Sequence, residues 1–306
     1  MIIDIHQHIT YGEYPQFAKL TPSGHGSFTG EDLLYDMDKW GIDKSVILPL
    51  ANPENVDLFG VAGNQEVITA CQKHPDRFIP FCNIDPRAML NHKNADLSIL
   101  MKTFKELGCK GIGEVCANLP ATSPLYKNLF YYAGKEKMPI LFHLSPKRGG
   151  LYGMIDKPGL PGLEAVLEEF PDTVFIGHAP SFWNEIDGEL KPADRGRYPK
   201  GPIRKAGRLW DLMEKYPNLY GDFSAGSGHN ALTRDPKLGI RFINKFHKKI
   251  FFGTDFFFKK DSPPRHLTMM KNALKNGATS KPAYENIMHR NFERIFLTQK
   301  GFCLKK

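Results

Sequence analysis

Short apolar segments alternate along the chain with longer segments of helical periodicity. Eight segments of four to seven mostly apolar residues are candidate strands: residues 2–5, 44–50, 77–83, 110–115, 139–144, 173–178, 218–223 and 249–253. Apolar segments of this length are typical of parallel strands that are buried on both faces. The chain is therefore expected to build a parallel sheet.

The segments between these candidate strands have the spacing of amphipathic helices. Residues 31–40, for example, place Leu33, Met37 and Trp40 on one helical face. Further candidate helices are residues 63–73, 96–107, 124–136, 160–170, 207–216 and 236–246. Eight strands that alternate with helices predict a (β/α)8 TIM barrel. A doubly wound open sheet is the alternative, but no Gly-x-Gly-x-x-Gly motif follows the first strand.

Three connections are long, and each of them follows a candidate strand. They are residues 9–30 after strand 1, residues 145–159 after strand 5 and residues 179–202 after strand 6. Loops at this end of the strands form the active site of a TIM barrel. No boundary divides the chain, so residues 1–306 are expected to form a single domain.

Composition excludes several classes of protein. Hydrophobic residues make up 41% of the chain and charged residues 24%, which is ordinary globular usage. The formal net charge is +8, yet no run of Lys or Arg exceeds two residues, which disfavours a nucleic-acid partner. The five cysteines form no Cys-x-x-Cys pair, and neither a signal peptide nor a membrane-length apolar stretch is present. A reducing, cytoplasmic location without membrane contact is the expectation.

Polar residues that can bind metals stand at the ends of several candidate strands. They are His6, His8, His143, His178 and Asp255. Each of them alone is as readily explained as an ordinary hydrogen-bonded side chain. Because the carboxyl ends of barrel strands meet at one face, the set together predicts a cation site. Imidazole and carboxylate ligands suit Zn²⁺, with Mn²⁺, Fe²⁺ and Co²⁺ as competitors.

These residues also carry a resemblance to a known family. The matching stretches are Ile-Ile-Asp-Ile-His-Gln-His at residues 2–8, Phe-His143, Ile-Gly-His178, Phe-Gly-Thr-Asp255 and residues 285–296. The chain resembles the amidohydrolase superfamily of metal-dependent barrel enzymes. Within it, the chain is most similar to the amidohydrolase-related branch that includes aminocarboxymuconate-semialdehyde decarboxylase and several lactone hydrolases. The resemblance spans about residues 2–298.

The resemblance implies a role for each site residue. One metal would be bound by His6, His8, His143 and Asp255. His178 would be a general base or a donor that polarises the scissile group, and Asp255 could also accept and pass on a proton. Glu114 is open to two interpretations: a bridge between two metals, or a carboxylate that orients a ligand histidine. The single-metal interpretation is favoured, because the most similar branch has one metal.

Basic and aromatic residues near these strand ends suggest a substrate. Residues 195–208 contain six basic and no acidic side chains, and Arg148 follows His143 closely. They could attract a carboxylated substrate, or they could be a solvated loop or an oligomer contact. Trp183 could stack on a conjugated ring or could belong to the core. Asp4, two residues before His6, is a candidate partner for the ligand imidazoles.

Three functions follow from these observations. The preferred one is a metal-dependent hydrolase that uses a divalent cation to activate water against an ester, lactone or amide of a small anionic substrate. The alternative keeps the same site and makes the protein a non-oxidative decarboxylase of a carboxylated conjugated or aromatic substrate. A non-catalytic or nucleic-acid-associated barrel is disfavoured because the ligand set is complete. The sequence leaves a homo-oligomer open.

Overall fold

A computed structural model describes residues 1–10, 27–56, 60–256 and 261–298. Its strands are β1 Ile3–Gln7, β2 Lys44–Ile47, β3 Phe78–Pro80, β4 Ile112–Val115, β5 Ile140–Ser145, β6 Met154–Ile155, β7 Phe175–His178, β8 Leu219–Asp222 and β9 Ile250–Phe251. Eight of them overlap the eight predicted segments. The additional strand, β6, pairs with β5 from within the predicted 145–159 connection.

The eight main strands close into a ring. Strands β1, β2 and β3 pair in one parallel sheet, and β4, β5, β7, β8 and β9 pair in another. At one seam Cys82 N donates to Gly111 O at 3.0 Å, and Gly113 N donates to Cys82 O at 2.8 Å. At the other seam Ile5 N donates to Phe252 O at 3.0 Å. Hydrogen bonds at both seams make the ring continuous in chain order, so the predicted (β/α)8 barrel is confirmed.

Helices cover the outside of the ring. They are Gly30–Trp40, Asn64–Lys73, Ser98–Glu106, Pro124–Glu136, Pro161–Glu169, Pro180–Trp183, Arg208–Lys215, Ala225–Thr233, Pro236–Phe246, Arg265–Lys275 and Lys281–Glu285, with one further turn at Ala88–Asn91. The first begins at a capping box formed by Thr29 and Asp32 and ends at Gly41, whose φ of 72° is left-handed. These are the local signals that begin and end a helix.

The inside of the barrel is a buried, mainly apolar core. Its strand side chains form one buried cluster: Ile3, Ile5, Val46, Leu48, Phe81, Leu141, Ile176, Tyr220 and Phe251. Phe292, Ile295 and Phe296 of the C-terminal segment join this cluster. Strand β4 contributes no side chain to it, because a Cβ at Gly113 would stand 2.9 Å from Leu141 O. The carboxyl end of the ring, beyond this core, is where polar side chains gather.

Some sequence predictions fall outside the described residues. Most of the long connection after β1 does so, because residues 11–26 lie in one of the gaps between the described ranges. The connections after β5 and β7 are described in full. In the described parts of the chain, no helix combines the length and the apolar character needed to cross a membrane.

Candidate metal centre

A bulge in β1 orients His6 and His8 towards the mouth of the barrel. Asp4 pairs with Ser45 and Gln7 with Ile47, so β1 contains one more residue than β2 between these positions. Such a bulge lets Ile5 face the core while His6, the next residue, also faces inward. The Nε2 atoms of His6 and His8 lie 3.1 Å apart. The two imidazoles therefore lie side by side at the mouth of the barrel.

The carboxylate of Asp4 does not lie against the imidazole rings of His6 and His8. Its carboxylate accepts hydrogen bonds from the Thr254 backbone N–H at 3.1 Å and from the Thr254 hydroxyl at 2.6 Å. Gln7 donates to the same carboxylate at 2.9 Å. Asp4 thus ties β1 to the residue before Asp255, and the expectation that it contacts an imidazole ring is corrected.

Glu114 and Asp255 complete a group of four donors. The Nε2 atoms of His6 and His8 each lie 3.4 to 3.7 Å from Glu114 Oε2 and Asp255 Oδ1. Four ligands placed tetrahedrally about 2.1 Å from a zinc ion are separated by about 3.4 Å. His6, His8 and Glu114 are at most 4% exposed. Donor atoms of His6, His8 and Glu114 lie within 4.8 Å of one another, close enough to share a divalent cation, and Asp255 Oδ1 lies beside both imidazoles.

Hydrogen-bond partners of the two Nδ1 atoms set the orientation of His6 and His8. His8 Nδ1 lies 2.7 Å from the carbonyl oxygen of Leu48, which can only accept a hydrogen bond. In the neutral form of His8 the proton therefore resides on Nδ1, and Nε2 presents a lone pair to the site. His6 Nδ1 lies 2.6 Å from Asp222 Oδ2, which selects the same tautomer. Such partners behind metal-binding imidazoles fix the ring and increase its basicity.

His178 stands beside this group and shares its supports. Its Nδ1 lies 3.1 Å from Ser224 Oγ and 3.2 Å from Asp222 Oδ2. Its Nε2 lies 3.6 Å from Asp255 Oδ2, the carboxylate oxygen that does not face His6 and His8. Asp255 adopts a left-handed φ of 56°, a conformation that aspartate tolerates better than most residues. The Asp255 carboxylate thus lies between the donor group and His178.

The electrostatics of the cluster favour a bound cation. Burial lowers the pKa of His6, but Asp255 and Asp222 outweigh this effect and raise it well above its ordinary value. Burial likewise opposes charge on His178, yet Asp222 and Asp255 raise its pKa to about 9. Burial raises the pKa of Asp255, and the neighbouring histidines reverse that effect and lower it. Ionised carboxylates concentrated in one buried place require positive charge, which protons or a divalent cation can supply.

His143 reaches the cluster through Glu114. Its Nδ1 lies 2.7 Å from Glu114 Oε1, the oxygen that faces away from His6 and His8. The His143 ring packs against Tyr152, with ring centroids 4.6 Å apart. The structure brings His143 to the same end of the barrel as His6 and His8. Glu114, however, belongs to the group of four donors, whereas His143 contacts the oxygen of Glu114 that faces away from His6 and His8.

Trp183 is placed where it cannot contact a substrate. Its side chain is fully buried at 0% exposure, and its indole N–H donates to Asp222 O at 2.7 Å. The ring packs edge-on against Phe182 and Phe242. This corrects the expectation of a stacking surface, because a side chain in the core presents no face to the site. Trp183 instead holds the backbone of Asp222.

The basic residues divide into buried and exposed members. Arg195 is 2% exposed and pairs with Glu185 at 3.0 Å, so it cannot belong to a solvent-facing rim. Arg208 pairs with Glu164 at 2.5 Å. Arg148, by contrast, is exposed and lines a surface cavity of about 570 Å³ together with Tyr152. Arg148 is thus connected to His143 through Tyr152, which packs on the His143 ring.

Asp222 and Ser224 are supports of the site that the sequence analysis did not select. Ser224 Oγ donates to Asp222 Oδ2 at 2.8 Å and lies 3.2 Å from His6 Nδ1. The only signal in the sequence was that Asp222 stands at the end of a strand. A hydrogen bond from Asn83 Nδ2 to Glu114 O, at 2.5 Å, was not foreseen either. These contacts join strands that are distant in the chain.

The family model described as Amidohydrolase matches residues 3–297. The chain matches no curated protein.

Solved structures with the same fold have distant sequences. An uncharacterized TIM-barrel protein from Bordetella bronchiseptica is 16% identical with a TM-score of 0.62, and the match covers 97% of this chain and 98% of that one. The 2,6-dihydroxybenzoate decarboxylase from Rhizobium is 17% identical, with a TM-score of 0.60 and the same coverage. A protein from Pseudomonas putida, provisionally assigned as a 2-pyrone-4,6-dicarboxylic acid hydrolase, is 11% identical with a TM-score of 0.62 and 98% coverage of both chains. At these identities the likeness establishes the fold alone.

Proposed function

The chain belongs to the amidohydrolase family, and on that premise we propose that it is a metal-dependent hydrolase. Its substrate would be a small carboxylated molecule with an ester, lactone or amide bond. The cation would be held by His6, His8, Glu114 and Asp255, with His143 behind Glu114. Zn²⁺ suits two imidazoles and two carboxylates, and Mn²⁺, Fe²⁺ and Co²⁺ are its competitors.

The observation that carries this proposal is the position of the Asp255 carboxylate. Oδ1 lies 3.4 Å from Nε2 of both His6 and His8, whereas Oδ2 lies 3.6 Å from Nε2 of His178. One carboxylate can therefore bind a cation through one oxygen and exchange a proton with His178 through the other. A cluster of ion pairs that only stabilises the fold does not require the two oxygens of Asp255 to face different groups.

The chemistry is divided between the cation and the side chains. A bound divalent cation polarises a carbonyl group and lowers the pKa of water, which makes hydrolysis feasible near neutral pH. His178 presents Nε2 to the site, because Asp222 and Ser224 hold its Nδ1 side. His178 and Asp255 are thus placed to take a proton from the attacking water and return it to the leaving group.

Positive charge near the mouth supports a carboxylated substrate. Arg148 is exposed in a cavity that it shares with Tyr152, and Tyr152 packs on His143. Arg265 is exposed as well and lowers the pKa of Tyr198, which Asp255 and burial raise. These two arginines are our candidates for binding a carboxylate of the substrate. Guanidinium groups bind carboxylates through two parallel hydrogen bonds.

A decarboxylase is the second candidate, and the names of fold neighbours favour it. One neighbour is named as a decarboxylase of 2,6-dihydroxybenzoate and another as a decarboxylase of 5-carboxyvanillate. The same side chains would serve this reaction. His178 or Asp255 would then deliver a proton to the substrate carbon as carbon dioxide leaves, and no water would be consumed.

An activity screen with defined products separates these two functions. The purified, metal-loaded protein is incubated with carboxylated lactones, esters and amides and with hydroxylated aromatic acids. Hydrolysis of an ester or lactone releases an acid, and hydrolysis of an amide releases an amine, in both cases without gas. Decarboxylation releases one carbon dioxide per turnover. We expect hydrolysis that is lost in His6→Ala and Asp255→Asn and retained in His92→Gln, a change of an exposed histidine. Activity that survives His6→Ala together with removal of the cation would refute both candidates.

A further inference from the structure

Two exposed side chains at the carboxyl end of the barrel have no bonding partner among the described residues. Tyr198 belongs to the connection after β7, and Arg265 begins the helix Arg265–Lys275. In this part of the structure the Tyr198 hydroxyl and the Arg265 guanidinium make no hydrogen bond, and Arg265 makes no ion pair. The O–H donor of the phenol and the N–H donors of the guanidinium are thus available to a ligand.

The two side chains meet over Gly226. A Cβ on this glycine would stand 2.9 Å from Cε1 of Tyr198 and 3.2 Å from Nη2 of Arg265. The phenol ring and the guanidinium therefore lie side by side against one backbone position. A larger residue at this position would displace them.

Gly226 belongs to a segment that supports the candidate metal centre. It follows Ala225, whose N–H donates at 3.2 Å to the carbonyl oxygen of Thr254, the residue before Asp255. In the same segment, Ser224 Oγ lies within 3.2 Å of Nδ1 of two site histidines. The phenol and the guanidinium therefore stand beside the metal centre, but neither is hydrogen-bonded to its donor atoms.

The charge states of this pair suit an anionic ligand. Burial raises the pKa of Tyr198, and Asp255 raises it further against the opposing effect of Arg265. The phenol therefore stays protonated near neutral pH and can donate a hydrogen bond. A carboxylate can accept from both side chains, and the guanidinium offers it two parallel hydrogen bonds.

The backbone on both sides of Tyr198 is fixed. The buried amide of Asn184 donates to Arg197 O at 2.8 Å. On the other side, Asn230 donates to Pro199 O at 3.2 Å. Although the Tyr198 ring is at the surface, its backbone is in place before a ligand arrives, which reduces the entropic cost of binding.

We propose that Tyr198 and Arg265 form a specificity subsite, which binds a carboxylate of the substrate that is remote from the bond that reacts. The reacting group of the substrate would lie at the cation, and the remote carboxylate at this subsite. In a simple dicarboxylate, one carboxylate would take each place. The inference rests on the proposed function only in that a divalent cation occupies the group of four donors. It assigns the recognition to Arg265 rather than to Arg148.

The competing explanation is that both side chains are only solvated. Dicarboxylates and monocarboxylates of equal carbon number distinguish the two explanations: succinate against butyrate, glutarate against valerate, and adipate against hexanoate. Binding of each to the zinc-loaded full chain is measured by titration calorimetry, and zinc content is determined before and after. The series of lengths allows for the span between the cation and the subsite, and no turnover is needed.

In the wild type, at least one dicarboxylate should bind about 30-fold tighter than its monocarboxylate, since a phenol and a guanidinium both contribute. Tyr198→Phe keeps the ring and removes only the hydroxyl. The affinity for that dicarboxylate should fall about 10-fold, as expected for a lost hydrogen bond to a charged group. Arg265→Gln should abolish the preference. Monocarboxylate binding and zinc content should not change in either variant.

Two further variants control for general effects. Tyr131→Phe changes a tyrosine of similar exposure, 53% against 55% for Tyr198, and Arg290→Gln removes an exposed arginine. Both should bind every probe as the wild type does. Once the activity screen identifies a substrate, Tyr198→Phe should raise KM and leave kcat unchanged, because a remote carboxylate contributes equally to ground-state and transition-state binding. Folding of each variant is verified by its unfolding transition.

Three results would overturn the subsite: equal affinities within every matched pair in the wild type, an unchanged preference in Tyr198→Phe or Arg265→Gln, or a preference that is lost in Arg148→Gln instead. Turnover by a protein without the preference would leave the proposed function intact. The expected preference in a protein that turns over no substrate would support the subsite and count against the proposed function. If Arg265→Gln does not fold, Arg265→Lys is measured in its place and should lose most of the preference, because an ammonium group cannot offer two parallel bonds.

Discussion

Oδ2 of Asp222 lies 2.6 Å from Nδ1 of His6, and both side chains are fully buried. The same oxygen lies 3.2 Å from Nδ1 of His178, so one carboxylate supports two imidazoles. Burial raises the pKa of Asp222, but the two histidines outweigh this effect and lower it. Asp222 is therefore ionised and holds His6 in the tautomer that presents Nε2 to the mouth of the barrel.

The first prediction concerns this support. Asp222→Asn should weaken cation binding about 10- to 100-fold, because loss of the carboxylate behind a metal-binding histidine has effects of that size. Competition with a chromophoric chelator measures the change. Asp211→Asn alters an exposed aspartate and should leave the affinity unchanged. Equal affinities for Asp222→Asn and the wild type would mean that His6 is not a ligand.

The second prediction separates cation binding from proton transfer. His178→Gln should lower kcat about 10²- to 10⁴-fold while the protein keeps its cation, because a general base acts on turnover. Asp255→Asn should lower both kcat and cation affinity, since one oxygen of its carboxylate faces the cation ligands His6 and His8 and the other faces His178. Metal analysis alongside kinetics checks this. Loss of the cation in His178→Gln would move that residue into the ligand set.

The third prediction concerns the buried indole. Trp183→Phe should lower the free energy of unfolding by about 1–3 kcal/mol, because Asp222 O loses its buried donor. KM for the substrate should not change. Trp40→Phe is the matched control: Trp40 is also buried, but its indole N–H has no hydrogen-bond partner within the described ranges. A several-fold rise in KM without loss of stability would restore Trp183 as a substrate contact.

The fourth prediction is a pH dependence of stability. Burial lowers the pKa of His266 to about 3, and the ring donates through Nε2 to Ala225 O at 2.6 Å. Because the unfolded chain binds this proton below about pH 6.5, stability from His266 is complete above that pH and declines as pH falls towards 3. The maximal slope from one such group is about 1.4 kcal/mol per pH unit.

Denaturant unfolding between pH 7 and pH 4.5 tests this prediction by comparison of slopes. His266→Gln keeps an amide donor for Ala225 O but cannot be protonated, so its stability should depend less on pH than that of the wild type. His92→Gln changes an exposed histidine and should follow the wild type. Parallel curves for His266→Gln and the wild type would contradict the assignment.

The amino-acid sequence by itself determined the barrel and the residues at its mouth. Eight buried apolar segments, separated by helices, have few other arrangements that bury every face. Parallel strands of a barrel also end on one face. The five residues at those strand ends therefore had to approach one another, whatever the orientation of their side chains: His6, His8, Glu114, His143 and Asp255. Both inferences depend on local periodicity and on a general rule of topology, and neither requires coordinates.

Only the tertiary structure decided which atoms face which. Bulges in β1 and β4 change the direction of His6 and of Glu114, and the alternation of a regular strand does not predict them. The burial of Trp183 and Arg195 and the support from Asp222 depend on contacts between segments far apart in the chain. Side-chain orientation at the mouth results from packing among eight strands at once, which no single segment of sequence specifies.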